Sequence, residues 1–432
     1  VKVLFLNVTG GLGGAERLLL DVLASLRQAD PSLELHLALG EDGPLAARAE
    51  AHGVVVHPLP LPPALREMGD HALSGPGGWR ARAGFAARSL AAAWAAWRYA
   101  AALRRLVRGV GPDVVHSNSA KLHLLTGLGR LGVPVVWHLH DFPGARVVMT
   151  RLLRLAGRVA GAVAISEAVG RDARGVLPRT PVVVAPNAID TEHFCPDGPA
   201  ADLDALAGLA PLEGAVRVGL VATYATWKGH DVFLEAAGRL ARERPELPVR
   251  FYVVGGPIYQ TRGSQWARGE LRQRAAALLA ENRLGFIDFQ ADCAPVYRAL
   301  DVVAHASTRP EPFGLTIAEA MSCGRAVIVS RAGGAAELFT QGHDAVGVDP
   351  GDVEGLAGAV GELAGDADRR RRLGHNARRT ALGRFGRQRL GGEILRAYAQ
   401  FGVPRAPAPQ ARKPFDPADA PRRNDPCSHS PS

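Results

Sequence analysis

"VKVLFLNVTGGLGGAERLLLDVLASL", residues 1–26, runs from an apolar stretch through a glycine-rich turn into a helical pattern. Residues 2–8 read as a strand, and their near-continuous apolar character suits a strand covered on both faces. Apolar residues after the turn recur at helical spacing, which predicts a helix over 14–27. Gly10, Gly11, Gly13 and Gly14 let the backbone approach a ligand and present N–H groups at a helix N-terminus. A tight turn packing helix on strand explains the same glycines equally well. Their spacing is not that of a dinucleotide fingerprint, and no acid closes the second strand, "ELHLALG".

The strand–turn–helix unit repeats outward. Further strands are predicted at 34–39, 53–57, 113–116, 133–139, 162–165 and 181–185, with helices at about 80–108, 119–131 and 147–160. Residues 196–214, "PDGPAADLDALAGLAPLEG", interrupt the alternation and read as a linker. It then resumes, with strands at 216–222, 249–255, 284–289, 301–305, 326–330 and 345–348. Apolar strands alternating with helices make parallel sheets covered on both faces. The fold class is therefore α/β, two doubly wound Rossmann-like domains facing a central cleft. The boundaries that follow are 1–197, 198–385, a last helix within 386–403 packing back toward the first domain, and 404–432. That final stretch is rich in Pro, Ala and charge, and is expected to be a disordered tail.

Composition narrows the class. The chain has 432 residues, 47% hydrophobic and 22% charged, with a net charge of +9 carried almost wholly by arginine. Such a balance suits anionic ligands or surfaces. No aromatic-rich basic motif or helix-turn-helix pattern supports nucleic acid as a partner. Four scattered cysteines argue against a zinc site or disulfide framework. The opening residues read as a strand rather than a signal peptide, and no uncharged run reaches the ~18 residues of a membrane span. A cytoplasmic protein is expected, at most peripheral on the inner face of the membrane.

In α/β sheets ligands bind beyond the carboxyl ends of the strands. The unusual residues of this chain fall there. "VVWHLHDF" (135–142) places His138 and His140 on one face of a strand end, followed by Asp141. "GLVATYATWKGHDVFLEAAGRL" (219–240) carries Lys228, one of only four lysines, at a helix start where a cation and free N–H groups would hold a phosphate. "EPFGLTIAEAMSCG" (311–324) puts Glu311 just before a helix beginning near Gly314 or Leu315, and Glu319 inside it. A diphosphate could rest on that helix end, with one carboxylate on each side accepting hydroxyl hydrogen bonds. As dipole partners alone, only one of the two is explained.

The 311–324 stretch resembles the Glu-seven-residues-Glu motif of the retaining glycosyltransferases of family 4. "GGLGGAERLLLDVL", "DVVHSNS", "WHLHD", "PNAIDTEHF", "WKGHDVFLEA", "YVVGGP" and "DVVAHAS" match in order, so the resemblance covers roughly residues 1–400. It implies the two-domain GT-B fold, with an acceptor-binding N-terminal domain and a nucleotide-sugar-binding C-terminal domain. On that resemblance His140, Lys228 and Glu311 are catalytic: His140 near the anomeric carbon, Lys228 on the diphosphate, Glu311 on the sugar hydroxyls. Glu319 takes the ribose, and Phe313, Gly314 and Leu315 offer backbone N–H groups. Gly13 and Gly14 form the loop between donor phosphate and acceptor, and Asn187 joins the substrate-binding set. No metal and no cofactor is implied beyond the nucleoside-diphosphate sugar itself. Where the family carries an Arg six residues before the lysine, this chain has Ala222; Arg217 or an N-terminal-domain arginine is an alternative second cation.

The expected activity is retaining, metal-independent transfer of a hexosyl-type group to a glycan, lipid-linked or small-molecule acceptor hydroxyl, as in cell-envelope polysaccharide synthesis. Rivals are another GT-B enzyme such as a nucleotide-sugar epimerase, or a nucleotide-sugar-binding protein with weakened turnover. The pairs Asp202/Asp204 and Asp366/Asp368 read as surface residues. Residues 79–108 combine Trp79, Phe85, Trp94, Trp97 and Tyr99 with arginines, and read either as contact with anionic lipid or as a helix covering the sheet.

Overall fold

The computed structural model describes residues 1–66, 79–257 and 264–403, with the backbone alone over 79–90. The first half holds β1 (Lys2–Asn7), α1 (Gly14–Ala29), β2 (Glu34–Leu39), α2 (Pro44–Ala51), β3 (Val55–Pro58), α3 (Pro63–Arg66) and α4 (Trp79–Val110). It continues with β4 (Val114–Ser117), α5 (Ala120–Gly129), β5 (Val135–Leu139), α6 (Val147–Ala156), β6 (Gly161–Ala164), α7 (Glu167–Val176) and β7 (Val182–Val184). The second half holds α8 (Leu203–Ala207), β8 (Val216–Val221), α9 (His230–Glu243), β9 (Val249–Val254), α10 (Arg268–Ala276), β10 (Leu284–Ile287) and α11 (Ala294–Ala299). After these come β11 (Val302–His305), α12 (Leu315–Ser322), β12 (Ala326–Ser330), β13 (Val346–Val348), α13 (Val353–Gly365), α14 (Ala367–Arg384) and α15 (Gln388–Gln400).

Both sheets are parallel. The first orders its strands β3-β2-β1-β4-β5-β6-β7 and the second β10-β9-β8-β11-β12-β13. Strand order reverses beside β1 in one and beside β8 in the other. At such a reversal neighbouring loops leave in opposite directions and open a crevice. The glycine turn after β1, the Lys228 loop after β8 and the segment after β11 all lie at these two crevices. This is how the fold selects its site.

The last helix returns to the first half. Ser25 on α1 donates to Arg387 O (2.5 Å) and accepts from Gly391 N (2.6 Å), and Ile189 bridges Gly386. Gly391 lets the helices meet, because a Cβ there would stand 2.2 Å from Ser25 O.

Several sequence expectations need correction. The stretch read as a linker contains α8, capped by Asp202, whose side chain accepts from Ala205 N. Asp204 is not a surface residue: it is buried, 2.6 Å from Arg250 and from the Tyr252 hydroxyl. Its helix packs against the edge strand β10, and that cover is what buries it. Asp366 caps α14 and Asp368 is exposed. On α4, Ala92, Ala95, Tyr99, Leu103 and Val107 form the buried stripe, so Tyr99 is turned inward, while Trp94 and Trp97 are exposed. The side chains of Trp79 and Phe85, and the tail 404–432, lie outside the described residues. Helices α2, α3 and α7 were not read from the sequence.

Candidate active site

On the C-terminal wall of the cleft, Lys228 Nζ lies 2.7 and 2.8 Å from the two carboxylate oxygens of Glu311. Gly229 makes this meeting of residues 83 apart possible. It is left-handed (φ +72°), and a Cβ there would fall 1.8 Å from Ala306 O, so the loops after β8 and β11 touch only because it is glycine. Ser307 Oγ donates to Glu311 Oε2 (2.8 Å), and His305 Nε2 stands 3.3 Å from the same oxygen. His305 and Ser307 are alternate residues leaving β11, which puts them on one side. Burial pushes the Glu311 carboxyl up, but Lys228 and His305 more than offset this, and it stays well below the usual carboxylate range.

Immediately beyond, α12 starts at Leu315 with Gly314 as its cap in a left-handed conformation (φ +109°). The first N–H groups of the helix have no intrahelical acceptor and carry its positive end. Phe313 is buried edge-on against Phe385, 6.0 Å between centroids, and fixes the angle at which this turn enters. Glu319 is one turn in. The Tyr297 hydroxyl donates to it (2.8 Å), yet burial holds its pKa up at about 7.

The N-terminal wall is built from imidazoles. His116 Nδ1 lies 2.7 Å from the Tyr398 hydroxyl on α15, and its Nε2 3.1 Å from His138 Nδ1. The His138 ring lies 4.4 Å from that of His140, which reaches Asn118 Oδ1 at 3.4 Å. Burial drives all of them down, His116 to about 3 and His140 to about 4, so they are neutral at pH 7. His138 falls further, by burial and by the neighbouring rings. The expected common face of His138 and His140 is present; the His116–Tyr398 continuation of it was not readable, because its partners are 282 residues apart.

The two walls meet at α1 and α12. Gly13 caps α1, and a Cβ on Gly14 would stand 3.8 Å from Leu315 Cδ1. One turn along α1, Arg17 donates to Ala291 O (2.7 Å) in the other half, and its charge partly counters the upward shift of Glu319. Gly13, Gly14, Leu315, Gly314, Glu311 and Lys228 thus gather at one seam. Asn187 lies instead on the connector between the halves. It is buried, its carbonyl accepts from Arg389 (2.6 Å), and its side-chain oxygen has no partner among the described residues. Arg217 cannot be the second cation. It sits at the opposite end of β8, 3.7 Å from Asp204. Among the described residues, Lys228 is the only lysine or arginine paired with Glu311. No group of three or more His, Cys, Asp or Glu is placed to hold a metal ion, again among the described residues.

Two parallel doubly wound sheets, of seven and six strands, are the architecture of the GT-B class of two-domain proteins. Residues 12–193 match the family model "Glycosyltransferase Family 4", and residues 210–380 match "Glycosyl transferases group 1". The chain belongs to the family 4 glycosyltransferases. Among relatives, the D-inositol 3-phosphate glycosyltransferase of Corynebacterium urealyticum is 30% identical over 235 residues, 54% of either protein. That of Rhodococcus jostii is 36% identical over 210 residues, 48% of this chain and 44% of the relative. The chain spans about half the length of the curated relatives it matches. Among solved structures, Anabaena HepE in complex with UDP-glucose is 25% identical, with a TM-score of 0.72 over 92% of this chain and 99% of that one. Sucrose-phosphate synthase from Thermosynechococcus elongatus (18%, TM-score 0.71, 93% and 99%) shares the fold.

Proposed function

We propose that the protein is a retaining glycosyltransferase that moves a sugar from a nucleoside diphosphate to an acceptor hydroxyl without a metal. The observation that carries this reading is the Lys228–Glu311 pair beside the free end of α12, facing the glycine turn of α1. A diphosphate on that helix end has its charge offset by Lys228 and by aligned N–H groups, which makes it a better leaving group. Glu311, ionised and fixed by Ser307 and His305, accepts sugar hydroxyls, and Glu319 accepts those of the ribose. Neutral His140 exchanges hydrogen bonds near the reacting carbon without repelling the positive charge that develops there.

The acceptor oxygen bonds to the anomeric carbon on the face from which the diphosphate departs. The C–O bond to the phosphate breaks with its electron pair on the leaving group, and a phosphate oxygen takes the acceptor proton. The configuration is retained. Similarity to a UDP-glucose complex favours a UDP-hexose as donor. The test is release of nucleoside diphosphate from UDP-glucose and related donors across an acceptor panel, with product anomers read by NMR. Acceptor-dependent release that survives EDTA, with retained configuration, is expected. Inverted product, or activity lost to EDTA and regained with Mn²⁺, overturns the corresponding part, and epimerised donor without acceptor points to the rival enzyme.

A further inference from the structure

Helix α6 has an apolar face on its outside. Its inner stripe is ordinary: Leu153 and Ala156 are buried, and Met149 packs on the core. The adjoining stripe holds Val148, Leu152 and Leu155, and Leu155 is 74% exposed. Val147, 68% exposed, extends this surface at the start of the helix. The neighbouring α5 adds to the patch. A Cβ on Gly127 would lie 2.3 Å from Ala156 O, so the ends of the two helices touch, and Leu128 beside that contact is 62% exposed. Scattered exposed leucines are normal, but a second apolar stripe on one helix continued onto its neighbour is not.

Charge says what covers it. Neither α5 nor α6 contains an Asp or Glu, whereas Arg130, Arg151 and Arg158 are exposed around the patch. A convex helix with Val and Leu toward solvent, arginines at its margin and no acid of its own (Asp141 and Asp172 lie before its first turn) is the pattern of a helix lying in the headgroup region of an anionic bilayer. The segment also has a place relative to the cleft: only six residues separate His140 from the first residue of α6.

We propose that the α5–α6 face docks on anionic lipid by inserting Val148, Leu152 and Leu155 while Arg151 and Arg158 hold the headgroups. This turns the His140 side of the cleft toward the membrane surface. The docking element is then α6, not the Trp-bearing α4 that the sequence singled out.

The test is flotation of the full chain with vesicles of phosphatidylcholine alone or with a phosphatidylglycerol fraction. The parent floats with the anionic vesicles and not with the neutral ones. Val148→Ser/Leu155→Ser lowers binding about tenfold or more, and Arg151→Glu lowers it about fivefold or more, the scale of one interfacial charge. Leu128→Ser, on the other helix, gives a smaller loss and guards against a local folding defect, with unchanged melting temperatures required throughout. Absence of flotation, or equal flotation of parent and variants, overturns the proposal. So does a concentration-dependent dimer that Leu155→Ser abolishes without any vesicle binding, which assigns the face to a second copy of the chain. Flotation does not use the cleft, so failure here leaves the proposed reaction standing.

Discussion

The two walls of the cleft solve the burial of polar groups in opposite ways. The C-terminal wall keeps its charges: Lys228 and Glu311 neutralise each other, and Ser307 and His305 satisfy what remains. The N-terminal wall gives its charges up. Four histidines lie close together in and beside β4, α5 and β5, and burial holds His116, His123, His138 and His140 neutral. A buried charge is tolerated when a partner lies within hydrogen-bond distance; otherwise a buried base stays unprotonated and a buried acid keeps its proton. One wall thus holds an ion pair at its centre, whereas the histidine cluster of the other is neutral.

The largest effects should come from breaking the charged wall. On the proposed reaction, Lys228→Ala removes the cation that offsets the leaving group and takes the ammonium from Glu311, so kcat should fall about a hundredfold or more, with nucleotide binding also weakened. Glu311→Ala should cut turnover comparably, yet nucleoside diphosphate should bind at least as well, because Lys228 no longer has a carboxylate to hold. Steady-state kinetics with calorimetry for the two variants decide it. Equal loss of nucleotide affinity in both would mean that the pair acts as a structural unit.

On the neutral wall the expected effect is on stability. His116→Ala opens space and orphans the Tyr398 hydroxyl and His138 Nδ1, at a cost of about 2–4 kcal/mol read from denaturation. The sign with pH follows from the lowered pKa. The unfolded imidazole binds a proton below about 6.5, whereas the folded one does so only near 3. Stability is therefore fully present above 6.5 and is lost as the pH falls toward about 3. The variant should show a shallower acid slope by one proton, and an unchanged slope would show that His116 is charged in the native state.

Glu319 lies between the two regimes. With its pKa raised to about 7 it is largely protonated at pH 6, and ribose hydroxyls donating to it favour the ionised form. Nucleotide binding should then release close to one proton at pH 6 and almost none at pH 8.5. Calorimetry in buffers of different ionisation enthalpy measures this, and Glu319→Gln should abolish it. Binding without proton release at pH 6 would remove the ribose contact.

The smallest effect concerns Ala222. With Arg217 committed to Asp204, Lys228 is the one cation paired with Glu311 among the described residues, and Ala222→Arg should recover only part of the loss in the Lys228→Ala background, about tenfold at most. No recovery in kcat would show that the end of β8 does not face the diphosphate.

Much of the fold was legible because strand and helix are local patterns. The thirteen strands among the described residues sit within about two residues of their expected positions, and α12 begins at Leu315, one of the two starts expected for it. The short helices α2, α3 and α8 were missed; one turn or two of helix has little periodicity to read. Within the site, the glycine turn, Lys228 and the two glutamates stood out by position after strands. His305 and Ser307 were not singled out, although they lie in the matched stretch "DVVAHAS" and their alternate spacing after β11 is a signal. Tyr398, Arg17 and the His116 link carried no local signal, since each acts on residues far along the chain.

By itself the sequence determined the parallel α/β plan, the glycines that permit close approach, and the placing of Glu311 and Glu319 about one helix end. Periodicity and backbone freedom are properties of neighbouring residues, and so they are written in order along the chain. The tertiary structure alone decided which charges pair, which histidines stay neutral, that Asp204 is buried, and that α6 turns leucines outward. Those outcomes depend on what removes water from a group and what lies beside it, and both are set by contacts between residues tens to hundreds of positions apart.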